Sequence, residues 1–176
     1  MTTKKTDTKK DAIAHLGELI QDIKVTMMTT VEADGSIRSR PMWTHNENFN
    51  GELWFFTNES APKCDEVRDD HHVNLAYSDA SRDRYVSVSG MARIVRDRQK
   101  IHALWDPSLK AWFPKGVDDP DIALICVSVD KAEYWDTPNK HMVQLVGFVK
   151  SVLTGEKYTP GDHQKIDLGQ GSGAAH

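Results

Sequence analysis

The chain has 176 residues, of which 39% are hydrophobic and 27% are charged, a composition typical of a globular protein and neither of a disordered nor of a membrane-spanning one. That length most naturally forms a single domain. Lys and Arg total 22 against 26 Asp and Glu, for a formal net charge of -4, so no basic excess is available for binding a nucleic-acid backbone.

The amino-terminal part predicts a leader, a helix and a β-hairpin. Residues 1–10 are polar and lysine-rich and are expected to be a disordered leader. Apolar residues then recur at helical spacing after Asp11, a residue type suited to capping a helix. Residues 24–32 and 37–45 are predicted to pair as strands, because the Ala-Asp-Gly-Ser segment between them has the composition of a tight turn.

The middle of the chain alternates strands with short helices. The continuous Leu-Trp-Phe-Phe run within residues 52–58 predicts a strand that is buried on both faces. Residues 60–70 predict a helix in which Ser60 can act as the cap and Pro62 fits the first turn. The remaining predicted elements are strands at residues 73–78, 84–95 (with a bulge at Gly90) and 122–129, an extension of the last strand at 133–136, helical turns at 97–105 and 109–113, and a helix or turn region at 140–153.

Together these elements predict a mainly β fold with peripheral helices (α+β), built as an antiparallel barrel of about six strands. Helices placed at the edges, rather than between every pair of strands, argue against a parallel sheet. The domain is expected to span residues 11–153. Residues 154–176 are expected to form a flexible C-terminal tail, because their Gly-rich run neither follows a strand nor precedes a helix.

The strongest pattern for a binding site lies within residues 38–63. Arg38 and Arg40 fall on one face of a strand, where guanidinium groups suit a phosphate or a flavin carbonyl, although a solvated strand face explains the same pattern. Ser60 and Lys63 add a hydroxyl and an ammonium group at a predicted helix start, where backbone N–H groups favour anions. This arrangement can hold a phosphate, and it raises the question of whether a phosphorylated cofactor, with a flavin nucleotide as the first choice, binds there.

No other catalytic motif stands out. The sequence has no phosphate-loop lysine motif, no HExxH and no GxSxG, and its eight histidines are scattered, so no metal site is expected. No apolar run approaches the ~18 residues of a membrane span, and nothing indicates an export signal. Cys64 and Cys126 predict free thiols in a reducing compartment, so the protein is expected to be cytoplasmic, without nucleic-acid or membrane partners.

In order and spacing, several segments resemble the pyridoxamine 5′-phosphate oxidase-like FMN-binding split barrels, and within them the bacterial general stress proteins. This resemblance implies a split β-barrel homodimer with FMN in a cleft at each subunit interface. The segments that carry it lie within residues 12–136 and are Arg38-Ser39-Arg40-Pro41-Met42, Leu53-Trp54-Phe55-Phe56-Thr57, residues 60–63, Asn74-Leu75-Ala76-Tyr77, residues 85–90, Leu104-Trp105, Trp112-Phe113-Pro114 and Glu133-Tyr134-Trp135-Asp136.

The resemblance also implies which residues lie near the flavin. Some would contact the nucleotide or line its ring, others would hold its phosphate, and others would close the site from either subunit. They are Arg38 and Arg40 at the nucleotide, Phe56 and Thr57 along it, Ser60 and Lys63 at the phosphate, Ser87, Ser89 and Gly90 on a neighbouring strand, and Trp112 or Trp135 at the closure.

One departure from the family bears on function. The true pyridoxamine phosphate oxidases carry a C-terminal Arg-x-His segment for the substrate phosphate, whereas this chain has no Arg after Arg98. Oxidation of vitamin B6 phosphates is therefore not expected, and no catalytic residue is assigned. Two functions stay open: a flavin-dependent oxidoreductase of unknown substrate that takes electrons from a nicotinamide, and a flavin-binding stress or redox sensor, or carrier, without turnover. FAD, deazaflavin and haem rank below FMN as cofactors.

Overall fold

An antiparallel sheet forms the body of the molecule in the computed structural model, which describes residues 3–45, 49–136 and 162–167. The helices are α1 (Thr3–Ile20), α2 (Pro62–Asp69) and α3 (Arg98–Leu104), followed by a 3-10 helix at Pro107–Ala111. None of the described helices is both long and apolar enough to cross a membrane. The strands are β1 (Val25–Val31), β2 (Ile37–Trp43), β3 (Glu52–Asn58), β4 (His72–Asp79), β5 (Arg84–Val95), β6 (Ile122–Asp136) and β7 (Asp162–Asp167).

The strands follow the order β2-β1-β4-β5-β6-β3, and β7 adds to β6 outside that path. The long strand β6 serves two partners on the same edge, because its residues 122–128 pair with β3 and its residues 131–136 pair with β7. An isolated bridge between His45 and Trp54 joins the region after β2 to β3, at the opposite ends of the strand order. The sheet therefore curls on itself, and the predicted split β-barrel is confirmed.

A bulge interrupts the pairing of the two longest strands. Gly90 of β5 lies opposite Val129, whereas Ser89 lies opposite Lys131, so Asp130 is an extra residue on β6. The two backbones approach so closely here that a β-carbon on Gly90 would lie 2.3 Å from the carbonyl oxygen of Ser128. Only glycine fits this position, and the irregularity predicted at Gly90 is confirmed.

Two groups of buried side chains stabilise the sheet. The larger lies inside the barrel, where α1 contributes Leu16, Leu19 and Ile20 against the inward residues of the strands. The smaller joins α3 and the 3-10 helix to β3 and β6, and it is built from Phe56, Ile101, Leu109, Phe113, Ile122 and Leu124. Phe56 belongs to this second group, which places the end of β3 beside the helical turns.

Two predicted boundaries are wrong. Helix α1 begins at Thr3 and so includes residues that were predicted as a disordered leader. Lysine has a high helix propensity, so this segment forms a helix although it lacks a helical pattern of apolar residues. Strand β7 lies within the predicted flexible tail of residues 154–176 and adds a seventh strand. Its sequence contains one apolar residue, Ile166, so it lacks strand alternation and depends on pairing with β6. The helix or turn region predicted at 140–153 lies outside the described residues.

Candidate functional site

A cavity of about 670 Å³ lies where the ends of β2 and β3 meet the start of α2 and the 3-10 helix. Its volume falls within the range of small-molecule binding sites, roughly 300 to 1,000 Å³. One side is aromatic and apolar, and the other carries polar groups and a lysine. The residues that line it are Val25, Pro41, Met42, Trp43, His45, Phe56, Thr57, Asn58, Ser60, Ala61, Lys63, Leu109, Trp112 and Phe113.

The aromatic side of the cavity is organised around Phe56. Its ring centroid lies 5.1 Å from that of His45 and 6.1 Å from that of Phe113. Trp43 and Trp112 form a second ring pair, with centroids 5.8 Å apart, and the Trp112 side chain remains 59% exposed. Because aromatic rings present flat, rigid surfaces, this side suits a planar ring system.

Lys63 supplies the cationic side of the cavity from the first turn of α2. Burial, reinforced by the nearby Arg40 guanidinium, lowers the pKa of Lys63 from its ordinary value of 10.5, although Glu66 acts in the opposite direction. Within the described residues Lys63 makes no ion pair. A half-buried ammonium group without a paired carboxylate favours an anionic ligand, because the ligand would repay the cost of burying the charge.

Ser60 lines the cavity beside Lys63, but its donors point to Asp121. The backbone N–H and the hydroxyl of Ser60 donate to the two carboxylate oxygens of Asp121, at 3.0 and 2.7 Å. These bonds hold the pKa of Asp121 below its ordinary value. The residue preceding α2 is Ala61, without a side-chain cap, so the prediction that Ser60 caps this helix is wrong. Ser60 instead ties the loop before α2 to the segment before β6.

The two predicted arginines lie outside the cavity and are engaged in ion pairs. Arg40 donates to the Glu66 carboxylate at 2.6 Å and to the Thr30 hydroxyl at 2.7 Å. Burial opposes the ionisation of Glu66, but the hydrogen bonds from Thr30 and Arg40 outweigh it and keep the pKa of Glu66 below its ordinary value. Arg38 is more exposed and pairs with Glu32 at 2.9 Å. Arg40 therefore anchors α2 to the sheet and adds positive potential near Lys63.

Four more predicted residues lie away from the cavity. Ser87 and Ser89 accept hydrogen bonds from the amide of Asn74 on β4, at 2.9 and 3.5 Å. Gly90 is buried in the β5–β6 bulge, and Trp135 lies on β6 opposite Tyr85. None of these residues lines the cavity of the same chain.

The structure thus brings together Phe56, Thr57, Ser60, Lys63 and Trp112 from the predicted set. It does not bring Arg38, Arg40, Ser87, Ser89, Gly90 or Trp135 to this cavity. Sequence reasoning missed several lining residues, of which Trp43, His45 and Phe113 are the aromatic ones. Trp43 and His45 lie at odd positions of the same predicted strand, so strand alternation places them together on the face opposite Arg38 and Arg40. This shared face is the sequence signal that could have identified them.

The comparisons with known proteins agree with one another. The family model of pyridoxamine 5′-phosphate oxidase-like proteins matches residues 11–159. The protein bli-3 of Neurospora crassa is 30% identical over 157 residues, which cover 84% of this chain and 75% of that protein.

Two solved structures illustrate the structural similarity. A Clostridium acetobutylicum protein related to general stress protein 26 of Bacillus subtilis aligns with a TM-score of 0.66 at 18% identity, covering 90% of this chain and 96% of that one; at this identity it shows the fold alone. The general stress FMN/FAD binding protein of Xanthomonas citri aligns with a TM-score of 0.63 at 25% identity, covering 76% of this chain and 94% of that one.

Proposed function

The chain belongs to the pyridoxamine 5′-phosphate oxidase-like family, and from that premise we propose that it binds FMN in the 670 Å³ cavity beside α2. The Xanthomonas citri relative, described as an FMN/FAD binding protein, supports a flavin. The phosphate would lie at Lys63, and the isoalloxazine ring would lie against the aromatic side chains.

The observation that carries the proposal is the division of the cavity into a cationic side and an aromatic side. Lys63 is half-buried on one side, with a pKa lowered first of all by burial, and aromatic rings centred on Phe56 occupy the other side. FMN has the same division, a phosphate at one end and a flat ring system at the other. The residues present therefore fit the cofactor that the family implies.

Bound FMN would supply a redox centre that accepts and donates electrons or a hydride. The protein's own residues would bind and orient it: Lys63 by ion pairing, and Phe56 and Trp112 by contact with the ring. His45 and Lys63 are the only ionisable side chains that line the cavity among the described residues. The chemistry would thus rest on the flavin, and we propose an oxidoreductase that takes electrons from a nicotinamide.

The same scarcity of ionisable groups favours a second candidate function. A flavin-binding stress or redox sensor, or a carrier, needs no general acid or base and no substrate phosphate site. The two functions differ in one measurable property: an oxidoreductase is reduced rapidly by NADH or NADPH under anaerobic conditions, whereas a carrier is not. Bleaching of the visible flavin absorbance in a stopped-flow instrument distinguishes them.

We also propose that the protein is a homodimer, with the cavity at the interface. A row of large apolar side chains is exposed on the outer face of the sheet: Val25 and Trp43, which are paired across β1 and β2, and Tyr85 and Trp135, which are paired across β5 and β6. We call these four residues the outward apolar row. Val25 and Trp43 also line the cavity, so a second copy on this face would cover its mouth.

A dimer would also give a role to the predicted residues that do not reach their own cavity. Ser87 and Trp135 lie on the same outer face of the sheet as the outward apolar row. In a dimer in which these faces meet, both residues would lie near the cavity of the partner chain. Exposed aromatic and apolar side chains that share one face of a sheet are typical of a protein interface.

FMN binding is tested by titrating FMN into the purified, flavin-free protein and following flavin fluorescence and the melting temperature. We expect saturable binding at one FMN per chain and a melting temperature that rises with FMN concentration, because a ligand that binds only the folded state stabilises it. FAD and haem serve as comparison ligands. A protein that shows neither saturation nor stabilisation with FMN contradicts the proposal.

A further inference from the structure

A second cavity, of about 420 Å³, lies beside the C-terminal half of α2 and the end of β5. It shares no lining residue with the proposed flavin cavity. Its lining combines two apolar residues with three arginines and one histidine, and no carboxylate lines it. The lining residues are Val67, Arg68, His71, Arg93, Ile94 and Arg96. This concentration of cations is unexpected in a chain whose formal net charge is -4.

Carboxylates hold the arginines in place from outside the cavity. Arg68 donates to Glu59 and Asp65, at 2.9 and 2.7 Å, and Arg96 donates to Glu59 through two nitrogens. A guanidinium group has five N–H donors, and these contacts use two donors of each arginine. Two arginines therefore share Glu59 and retain donors that can meet a ligand.

Arg93 lines the cavity from β5, but its guanidinium group is directed elsewhere. It donates to Glu52 at 2.8 Å and to the Ser128 hydroxyl at 3.0 Å and lies 5.9 Å from the centre of the Trp54 ring, and none of these three residues lines the cavity. Side chains fixed by such bonds lose less conformational entropy when a ligand binds. Arg68 and Arg96 are thus the two arginines that are held in position for a ligand.

His71 contributes a further polar group with a defined orientation. Its Nδ1 lies 2.7 Å from the carbonyl oxygen of Val67. A carbonyl can only accept, so Nδ1 carries the proton and donates. This hydrogen bond fixes the tautomer and the orientation of the ring.

We propose that this cavity binds a small molecule through a phosphate group, independently of the flavin. Arginine forks match the oxygens of a phosphate bidentately, which makes arginine the residue of choice for such recognition. Val67 and Ile94 provide apolar contact for the rest of the molecule, and the volume is sufficient for more than a single phosphate group. The ligand class is therefore a phosphorylated metabolite, recognised first by its phosphate.

Glu59 is the internal competitor of such a ligand. Because it occupies donors of both Arg68 and Arg96, a phosphate must share or displace these contacts. Removing the charge of Glu59 is therefore expected to strengthen phosphate binding, whereas removing Arg96 is expected to weaken it. Opposite effects of two neighbouring substitutions would not arise from a general loss of stability.

The test uses inorganic phosphate as the probe, in calorimetric titrations of the full chain at low ionic strength. We expect saturable binding that is about tenfold weaker in Arg96→Ala, as for the loss of one charged hydrogen-bonding partner, and tighter in Glu59→Gln. Arg38→Ala is the matched control, because it removes an exposed arginine elsewhere with the same change in net charge. Lys63→Ala removes the other anion site and is expected to leave this binding unchanged.

Several results would overturn the proposal. The wild type would show no saturable phosphate binding, or Arg96→Ala and Arg38→Ala would weaken it equally, or Lys63→Ala would abolish it and so assign the phosphate to the flavin cavity. If Arg96→Ala does not fold, Arg96→Lys keeps the charge while losing the fork, and an affinity equal to wild type overturns the bidentate contact. Phosphate-dependent shifts of the His71 ring nitrogens provide a second readout that locates the bound ion.

Discussion

Among single residues, Lys63 is the one that gives the cavity beside α2 its positive charge. An ammonium group that is half-buried loses hydration, and this loss lowers its pKa. A phosphate monoester carries a charge of about -1.5 to -2 at neutral pH. An ion pair with such a group stabilises the protonated form of Lys63. Ligand binding and protonation of Lys63 are therefore linked.

FMN affinity is therefore expected to fall as the pH rises through the lowered pKa of Lys63. Below that pKa the ammonium group is already charged in the free protein. Above that pKa, Lys63 must take up a proton before the ion pair forms, and the free-energy cost of this protonation grows as the pH rises. The dissociation constant for FMN, measured between pH 7 and 10.5, tests this expectation.

Lys63→Arg is the control for that experiment. Arginine stays charged over this whole range, so the variant is expected to show little pH dependence even if its affinity is lower. Parallel pH profiles for the wild type and Lys63→Arg would mean that another group titrates and that Lys63 does not pair with the phosphate.

The residues of the proposed flavin cavity were predicted in part, because their order along the chain is informative. Phe56 and Lys63 are seven residues apart, across the end of one strand and the start of one helix, so local structure alone brings them together. Arg40 shows where such reasoning stops. Strand alternation predicts the face of the strand on which Arg40 lies. It does not predict the ion pair of Arg40 with Glu66, at 2.6 Å, because this contact forms only when α2 packs on the sheet.

At the scale of elements, the β5–β6 bulge sets the register between the two longest strands of the barrel. These two strands form the longest pairing of the sheet, and the register changes by one residue between Ser89 and Gly90. A one-residue slip moves every side chain to the other face of a sheet. The bulge is thus what allows both halves of β6 to direct apolar residues inward.

Gly90→Ala is expected to destabilise the fold by about 1 to 3 kcal/mol, the usual cost of overpacking a buried site. The added methyl would lie 2.3 Å from the Ser128 carbonyl oxygen and 3.0 Å from a methyl of Val127, so backbone must move. Urea denaturation followed by circular dichroism measures the change. Ser89→Ala, at the neighbouring exposed position, is expected to stay within about 0.5 kcal/mol of wild type. Equal midpoints for the two variants would show that the bulge is easily rearranged.

The elements themselves were predicted to different degrees, for physical reasons. Residues 52–58 and 84–95 match the bounds of β3 and β5, because continuous or alternating apolar residues and a glycine mark both strands. Strand β7 carries no such mark. It exists through its hydrogen bonds to β6, and a backbone pairing made by polar residues leaves no hydrophobic period in the sequence.

At the scale of the whole molecule, the outward apolar row is the feature that a single chain leaves unexplained. Its four side chains are between 39% and 46% exposed, and they lie across five neighbouring strands of one sheet. Burying them against a second copy would gain roughly 25 cal/mol for each Å² of apolar surface removed from water. The proposed homodimer follows from this surface.

Tyr85→Glu is therefore expected to shift the protein from dimer to monomer in analytical ultracentrifugation, because it places a charge in the centre of the interface. It should also weaken FMN binding, since a partner on this face would cover the cavity mouth. Gln21→Glu, an exposed position after α1, introduces the same charge elsewhere and is expected to change neither property. A wild-type protein that sediments as a monomer with FMN bound would contradict the dimer.

The central claim, that the cavity beside α2 binds FMN with its phosphate at Lys63, is tested most directly by comparing FMN with riboflavin in the wild type and in Lys63→Ala. We expect the wild type to prefer FMN over riboflavin, and Lys63→Ala to lose roughly 1.5 to 3 kcal/mol of that preference, the range for a hydrogen bond to a charged group. Riboflavin affinity itself should change little, because it lacks the phosphate. An FMN preference of the same size in both proteins would contradict the account.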